Sequence, residues 1–195
     1  MSKDITTSFR PALVMTGLFA LTLGLAYPLA ITGIAQVAFP HQANGSIVEQ
    51  NGKAIGSELI GQNFAEDRYF HPRPSAAGKG YDATASSGSN YGPASQALAD
   101  RVERDVAKVS MTGKIIPPDL VTASASGLDP DLSPEAALYQ VDRVAAARHL
   151  PPAQVDALVR RSIETPPVPF LGDPHVNVLA LNRALDQLAQ ERPRP

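Results

Sequence analysis

Hydrophobic positions are distributed unevenly along this chain. From Pro11 to Pro40, PALVMTGLFALTLGLAYPLAITGIAQVAFP, there is no Asp, Glu, Lys or Arg. Crossing a bilayer core takes about 20 apolar residues in a helix, and this stretch exceeds that. Thr16, Thr22 and Thr32 can bond back to their own helix and cost little in lipid. A soluble core helix of this length would carry a polar face, so the pattern predicts a membrane span over 11–39. Pro28 predicts a kink or the outer interface, and Tyr27 and Phe39 suit an interfacial position.

After Pro40 the pattern changes to short amphipathic pieces. Ser46 to Gln50, the turn Asn51-Gly52 and Lys53 to Ile60 predict a β-hairpin, because Asn-Gly tolerates the positive φ angles of a type I′ turn; Ile47 and Ile55 are its apolar positions. Tyr69 to Ala76, broken by Pro72 and Pro74, is extended. Gly78 to Gly92 is a long polar loop. Pro93 to Val109 reads as a helix with Leu98, Val102, Val106 and Val109 inward and Asp100, Arg101, Glu103, Arg104 and Asp105 in water. Ser110 to Pro118 connects it to the small-residue run Val121 to Asp129. A helix follows from Leu132 to His149, with Ser133 as N-cap and Pro134 at its first position. Two more helices cover about Pro152–Thr165 and Val176–Gln190. Together these predict an α+β chain: one N-terminal transmembrane helix, then a mostly helical domain opening on a hairpin.

Charge adds a direction. Lys3 and Arg10 outweigh Asp4 before the span, while the first ionised residues beyond it are Glu49 and Lys53. The positive-inside rule places 1–10 in the cytoplasm and 40–195 outside it. A cleaved secretory signal ending near Gly24-Leu25-Ala26 is the competing reading, but the apolar run continues past that site, which favours an uncleaved anchor. The whole chain has 17 Lys+Arg against 19 Asp+Glu, an absence of basic excess that speaks against a nucleic-acid partner. There is no Cys, so neither disulfides nor thiolate chemistry are available.

Candidate chemistry is sparse. His41, His71, His149 and His175 are never three or four residues apart, so no zinc motif and no metal site is expected. Gly88-Ser89-Asn90-Tyr91-Gly92 has its serine one place early for a nucleophile elbow. No phosphate-loop spacing occurs in 78–92. Asp129 and Asp131 flank a proline and read as turn residues. Without a nucleophile or a carboxylate pair, an anchored enzyme acting on envelope polymers has no catalytic residues to use. Phe64, Tyr69 and Phe70 beside His71 and Arg73 form either a recognition surface or a piece of core. Ser124, Ser126 and Gly127 form either an anion site or a tight turn. Residue chemistry alone implies an anchored extracytoplasmic binding or accessory domain.

Several stretches together carry a resemblance. They are Phe39-Pro40-x-Gln42-Ala43-Asn44-Gly45-Ser46, Ile60-Gly61-Gln62-Asn63-Phe64 and Tyr69-Phe70-His71-x-Arg73-Pro74-Ser75-Ala76. Further on are Ala85-Ser86-x-Gly88-Ser89-Asn90, Val121 to Asp129, Gln140-Val141-x-Arg143-Val144-Ala145 and Val176-Asn177-Val178-x-x-Leu181-Asn182. With the single span, the chain resembles the C subunit of the Kdp potassium-transporting ATPase over nearly its whole length.

The resemblance implies a non-catalytic accessory subunit of a bacterial potassium importer in the cytoplasmic (inner) membrane, described in the family as a catalytic chaperone. It implies three partners besides lipid: a channel-like potassium-binding subunit, a P-type ATPase catalytic subunit and a small single-span subunit. ATP and potassium would be handled by the complex, with no cofactor held firmly here. The chain itself lacks an Asp-Lys-Thr-Gly phosphorylation motif and a Thr-Val-Gly-Tyr-Gly filter. By resemblance, Gln140, Ser124, Ser126 and Gly127 are the nucleotide-related candidates, and Phe70, His71, Arg73, Ser89 and Asn90 the partner contacts. The charge asymmetry puts Gln140 on the side away from cytoplasmic ATP. The expectation is therefore a domain that caps the outer mouth of the channel-like subunit, with any effect on ATP affinity indirect. An anchored binding module of another membrane complex is the alternative.

Overall fold

A computed structural model describes residues 2–111 and 113–190. The chain divides into two compact units, Met1–Ile47 and Val48–Pro195.

The first unit is a long helix with one interruption. Helix α1 (Ser2–Leu21) passes through a π-helical turn, Thr22–Ala26, into α2 (Tyr27–Ala38). The interruption falls just before Pro28. This proline has no N–H to offer, and its ring would collide with the carbonyl of an unrelaxed preceding turn. The backbone widens just before it, and the Tyr27 N–H reaches back to the Thr22 carbonyl. The part Thr7–Ala38 is long and apolar enough to cross a membrane. Its 32 residues span about 48 Å at 1.5 Å each, against a hydrocarbon core of about 30 Å. The helix ends at Phe39 (φ −139°, ψ 58°), where Pro40 opens the short helix α3 (Pro40–Ala43). Gln36 and Asn44 bracket that corner with reciprocal amide bonds of 3.3 and 3.1 Å.

The second unit begins in the predicted hairpin. Strands β1 (Ile47–Gln50) and β2 (Lys53–Ser57) pair around Asn51 (φ 53°) and Gly52 (φ 72°), the left-handed pair a type I′ turn requires. The face differs from expectation: Val48 is buried and Ile47 exposed, a one-residue change of side that the two-residue period allows. Strand β2 stops at Ser57, short of Ile60, because the chain turns through Glu58 and Leu59. Helix α4 (Gln96–Val109) starts later than Pro93. Its apolar stripe is only half-buried, whereas Asp105, expected in water, is buried. Salt bridges to Lys108 at 2.9 Å and Arg101 at 3.5 Å make that burial tolerable.

The core is built by α5 (Pro134–Tyr139), α6 (Val141–Arg148), α7 (Pro152–Arg161) and α8 (Val178–Gln190). Leu132, Val144, Val155, Val159, Leu181 and Leu185 meet there, together with Phe70 from the extended stretch. Ser133 caps α5 as the sequence predicts, its Oγ accepting from the Ala136 N–H at 3.2 Å. The single helix expected from Leu132 to His149 is two: the chain breaks at Gln140 (φ −85°, ψ −7°) and α6 ends at left-handed His149. The last helix begins two residues later than expected. Val176 and Asn177 instead form β4, antiparallel to β3 (Asp131–Leu132), with Asp131 opposite Asn177 and Leu132 opposite Val176. The architecture is α+β, with a long apolar helix and two small hairpin-like pairs.

Candidate functional site

The extended stretch from Tyr69 to Ser75 runs without a strand beside it, so its backbone groups need other partners. Side chains supply them. In an extended chain the N–H and C=O of one residue point one way and those of the next point the other. Asn182, on α8, takes Phe70: its Oδ1 accepts from the Phe70 N–H at 2.8 Å and its Nδ2 donates to the Phe70 carbonyl at 3.0 Å. Gln140, at the α5–α6 break, takes His71: its Oε1 accepts from the His71 N–H at 2.8 Å and its Nε2 donates to the His71 carbonyl at 3.0 Å. Two carboxamides thus do the work of two neighbouring strands.

Gln140 has nothing left to give. Its Nε2 also donates to the Ala136 carbonyl at 3.2 Å, and its Oε1 also accepts from Arg143 Nη2 at 2.7 Å. Both amide hydrogens and both acceptor positions are used, and the residue is buried. It lines a cavity of about 240 Å³ with Asp67, His71, Tyr139 and Arg143. Arg143 ties the same stretch further, donating to the carbonyls of Asp67 at 2.6 Å and Tyr69 at 3.0 Å. Burial, then the Arg143 charge, holds the His71 imidazole below its ordinary value, and burial also lowers Arg143.

Further along, Arg73 Nη1 donates to Asp129 at 2.9 Å and Nη2 to Thr122 Oγ1 at 3.3 Å. The Tyr81 hydroxyl donates to the Arg73 carbonyl, and burial pushes that phenol up. Ser75 Oγ donates to the Gly127 carbonyl at 2.6 Å. Gly127 (φ +68°) sits so close that a Cβ would lie 2.6 Å from both Ala77 N and the Ser87 carbonyl; only glycine fits there. Ser124 Oγ and Ser126 Oγ accept from the N–H groups of Gly127 at 2.9 Å and Leu128 at 3.1 Å. The amides that an anion would need are already engaged by the loop's own serines.

The sequence candidates are therefore brought onto one line in part. Phe70, His71 and Arg73 lie on the stretch, Gln140 grips it, and Gly127 receives its end. Phe70 is fully buried, so the core alternative holds and its side chain offers no surface to a partner. Ser89 is half-buried and Asn90 exposed at φ +53°, in the loop where a Cβ at Gly88 would lie 3.0 Å from the Ala125 carbonyl oxygen. Asn182 is not among the site candidates that the sequence marks. Its signal is a carboxamide on the buried face of α8, in step with Val178, Leu181 and Leu185. Among the described residues, no group of three or more His, Asp or Glu side chains is placed to hold a metal ion.

A single apolar helix followed by a unit whose polar side chains hold its own backbone fits a membrane-anchored subunit. Comparison with known proteins gives this class its family. The family described as K+-transporting ATPase, c chain, matches residues 9–187. The chain is 58% identical over 180 residues to a potassium-transporting ATPase KdpC subunit of Caulobacter vibrioides, covering 91% of each. Similar proteins of that name occur in Rhodopseudomonas palustris (55% identical; 92% of this chain and 96% of the relative) and Acidobacterium capsulatum (53%; 92% and 97%). The chain belongs to the K+-transporting ATPase c chain family.

Proposed function

We propose that this chain is the non-catalytic subunit that stabilises a potassium-transporting ATPase and supports ATP use by a catalytic partner without touching the nucleotide. The observation that carries the reading is Gln140. A buried carboxamide whose four hydrogen-bonding positions are all taken by His71, Ala136 and Arg143 has no capacity for a ligand. Ser124 and Ser126, bound to their own loop, support the same conclusion. The family's candidate nucleotide residues here act as scaffold, and hydrolysis resides in the partner.

The folded unit lies outside the cytoplasm, on the argument of Lys3 and Arg10 before the span. From there it caps the channel-like subunit, and its influence on ATP affinity is a coupling free energy relayed through the assembly. His71, Arg73, Ser89 and Asn90 remain the proposed partner contacts. The partners are the channel-like subunit, the P-type ATPase subunit and a small single-span subunit in the inner membrane.

A topology reporter fused after Pro195 tests this, together with purification in mild detergent and nucleotide photolabelling of the whole complex. The expected result is an external reporter, co-purifying membrane subunits and label confined to the catalytic subunit. A cytoplasmic reporter, or label on this chain that Gln140→Leu abolishes without changing its stability, overturns the proposal.

A further inference from the structure

The loop between α7 and β4 ends in an exposed apolar tip. Phe170 is 83% and Leu171 64% exposed, and both sit in one 3₁₀ turn, Pro169–Leu171. The turn is carried on a closed stalk. At its base the Glu164 N–H donates to the His175 carbonyl at 2.8 Å, and the His175 N–H donates to the Glu164 carbonyl at 3.0 Å. Further out the two arms meet again, where a Cβ on Gly172 would lie 3.6 Å from the Pro166 ring. Pro166, Pro167 and Pro169 fix φ along the outgoing arm, which makes that arm stiff.

The chemistry of the tip selects its occupant. From Thr165 to Gly172 there is no Asp, Glu, Lys or Arg. Three prolines in this run have no N–H, and the Leu171 N–H already donates to the Val168 carbonyl at 3.0 Å. A protein groove exchanges hydrogen bonds as well as apolar area, and this tip has few to exchange. A lipid interface supplies no fixed partners and penalises every uncovered donor. A tip poor in charges and donors, with Phe and Leu foremost, suits lipid.

Lipid is also within reach through the covalent chain. Residues 39–47 join the end of α2 at Ala38 to Val48, the first residue of the folded unit, and a segment of that length extends at most about 35 Å. Val48 lines a cleft of about 400 Å³ together with Glu164 and His175, the base of the stalk. Leu59, 63% exposed, lines the same cleft. The stalk therefore rises from the part of the folded unit that the tether enters. Glu164 and Asp173 are exposed at its base and keep that part in water, so only the tip is apolar enough to leave it.

We propose that Phe170 and Leu171 insert into the interfacial layer of the bilayer that holds the span, giving the folded unit a second hold on lipid. The inference rests on the span and is independent of the accessory role proposed above.

The chain has no Trp, so one substitution supplies a unique reporter. Full chains carrying Phe170→Trp, or Ile115→Trp at a position that is 95% exposed, are reconstituted into phosphatidylcholine vesicles with and without dibrominated acyl chains, and Trp emission is read. Phe170→Trp is expected to emit to the blue of Ile115→Trp and to lose about half or more of its intensity in brominated lipid, as an interfacial aromatic does. Adding Leu171→Asp to that reporter should cut the quenching about twofold or more, because a carboxylate is costly to insert. High KCl should leave the quenching unchanged, since no charge drives the insertion.

Equal emission and quenching of the two reporters overturns the proposal, and so does quenching that high KCl removes. A blue shift of Phe170→Trp that arises only when the other subunits are co-expressed, without quenching by brominated lipid, assigns the tip to a protein partner and also overturns it. Chains that do not float with the vesicles refute the span, and the proposal with it, while leaving the accessory role to its own test.

Discussion

Replacing Gln140 with Leu separates a scaffold role from a ligand role. Leu keeps similar bulk at the α5–α6 break but removes every polar contact. The His71 N–H and C=O then lose their partners at 2.8 and 3.0 Å, and the Ala136 carbonyl loses the Nε2 bond at 3.2 Å. A buried polar group left unpaired costs about 1–3 kcal/mol. His71 is partly exposed and borders a cavity, so water recovers some of that cost, which favours the lower half of the range for each group. Arg143 keeps its bonds to Asp67 and Tyr69. The expected loss is about 2–4 kcal/mol, the sum over two backbone groups.

Urea unfolding of the full chain in mild detergent measures this loss. Circular dichroism is the probe, because the chain has no Trp. Hydrogen exchange localises it: the His71 amide should lose protection by about tenfold or more while amides in α7 do not. Asn182→Leu should act on Phe70 in the same way, and the double variant should lose less than the sum, because both hold one stretch. A loss under about 1 kcal/mol for Gln140→Leu, below the cost of one orphaned group, refutes the reasoning.

Other outcomes follow from the same geometry. Gly127→Ala forces a Cβ against two backbone atoms at 2.6 Å and a φ of +68°, which should cost about 1–3 kcal/mol in the same unfolding assay; a neutral result would mean that the 75–87 loop moves aside freely. Because the folded His71 lies below its ordinary value of 6.5, the unfolded chain binds the proton more readily. That contribution is complete above 6.5 and is lost as pH falls below it toward the depressed value, so His71→Gln should flatten the acid limb of stability against pH; an unchanged limb refutes the assignment. Asp131 is displaced oppositely, raised chiefly by burial, so its ionised form costs stability as pH rises through the folded value. Asp131→Asn, which keeps an oxygen for Asn177, should therefore raise the urea midpoint at neutral pH and lose that advantage in acid.

Local chemistry was legible wherever one or two residues decide the backbone. Asn51-Gly52 specifies its turn and Ser133-Pro134 its helix start, because both act within four residues. The break at Gln140 was hidden, since Leu138, Val141, Val144 and Ala145 keep helical spacing across it and the reason for the break lies on a distant stretch. Asp105 misled for a related cause: a carboxylate on a charged helix reads as wet until its pairing with Arg101 and Lys108 is seen. The site was half visible. His71, Arg73, Gln140 and Gly127 stand out as residue types, but what Gln140 and Asn182 recognise is backbone, which has no letter in the sequence. That these amides grip neighbouring residues from two helices is a property of the packed fold alone.

The π-helical turn at Thr22–Ala26 has a consequence for how the membrane helix presents itself. One extra residue in a turn advances the side chains by about 100° relative to an uninterrupted α-helix. Gly17 and Gly33, on opposite sides of the turn and about 160° apart on a single helical wheel, are therefore re-phased by about 100° relative to that wheel. The helix has two phases, one on each side of the turn, and each half can turn a different face to its surroundings. Replacing Pro28 would rejoin the phases and rotate one half against the other, changing which residues face a neighbour without altering any of them.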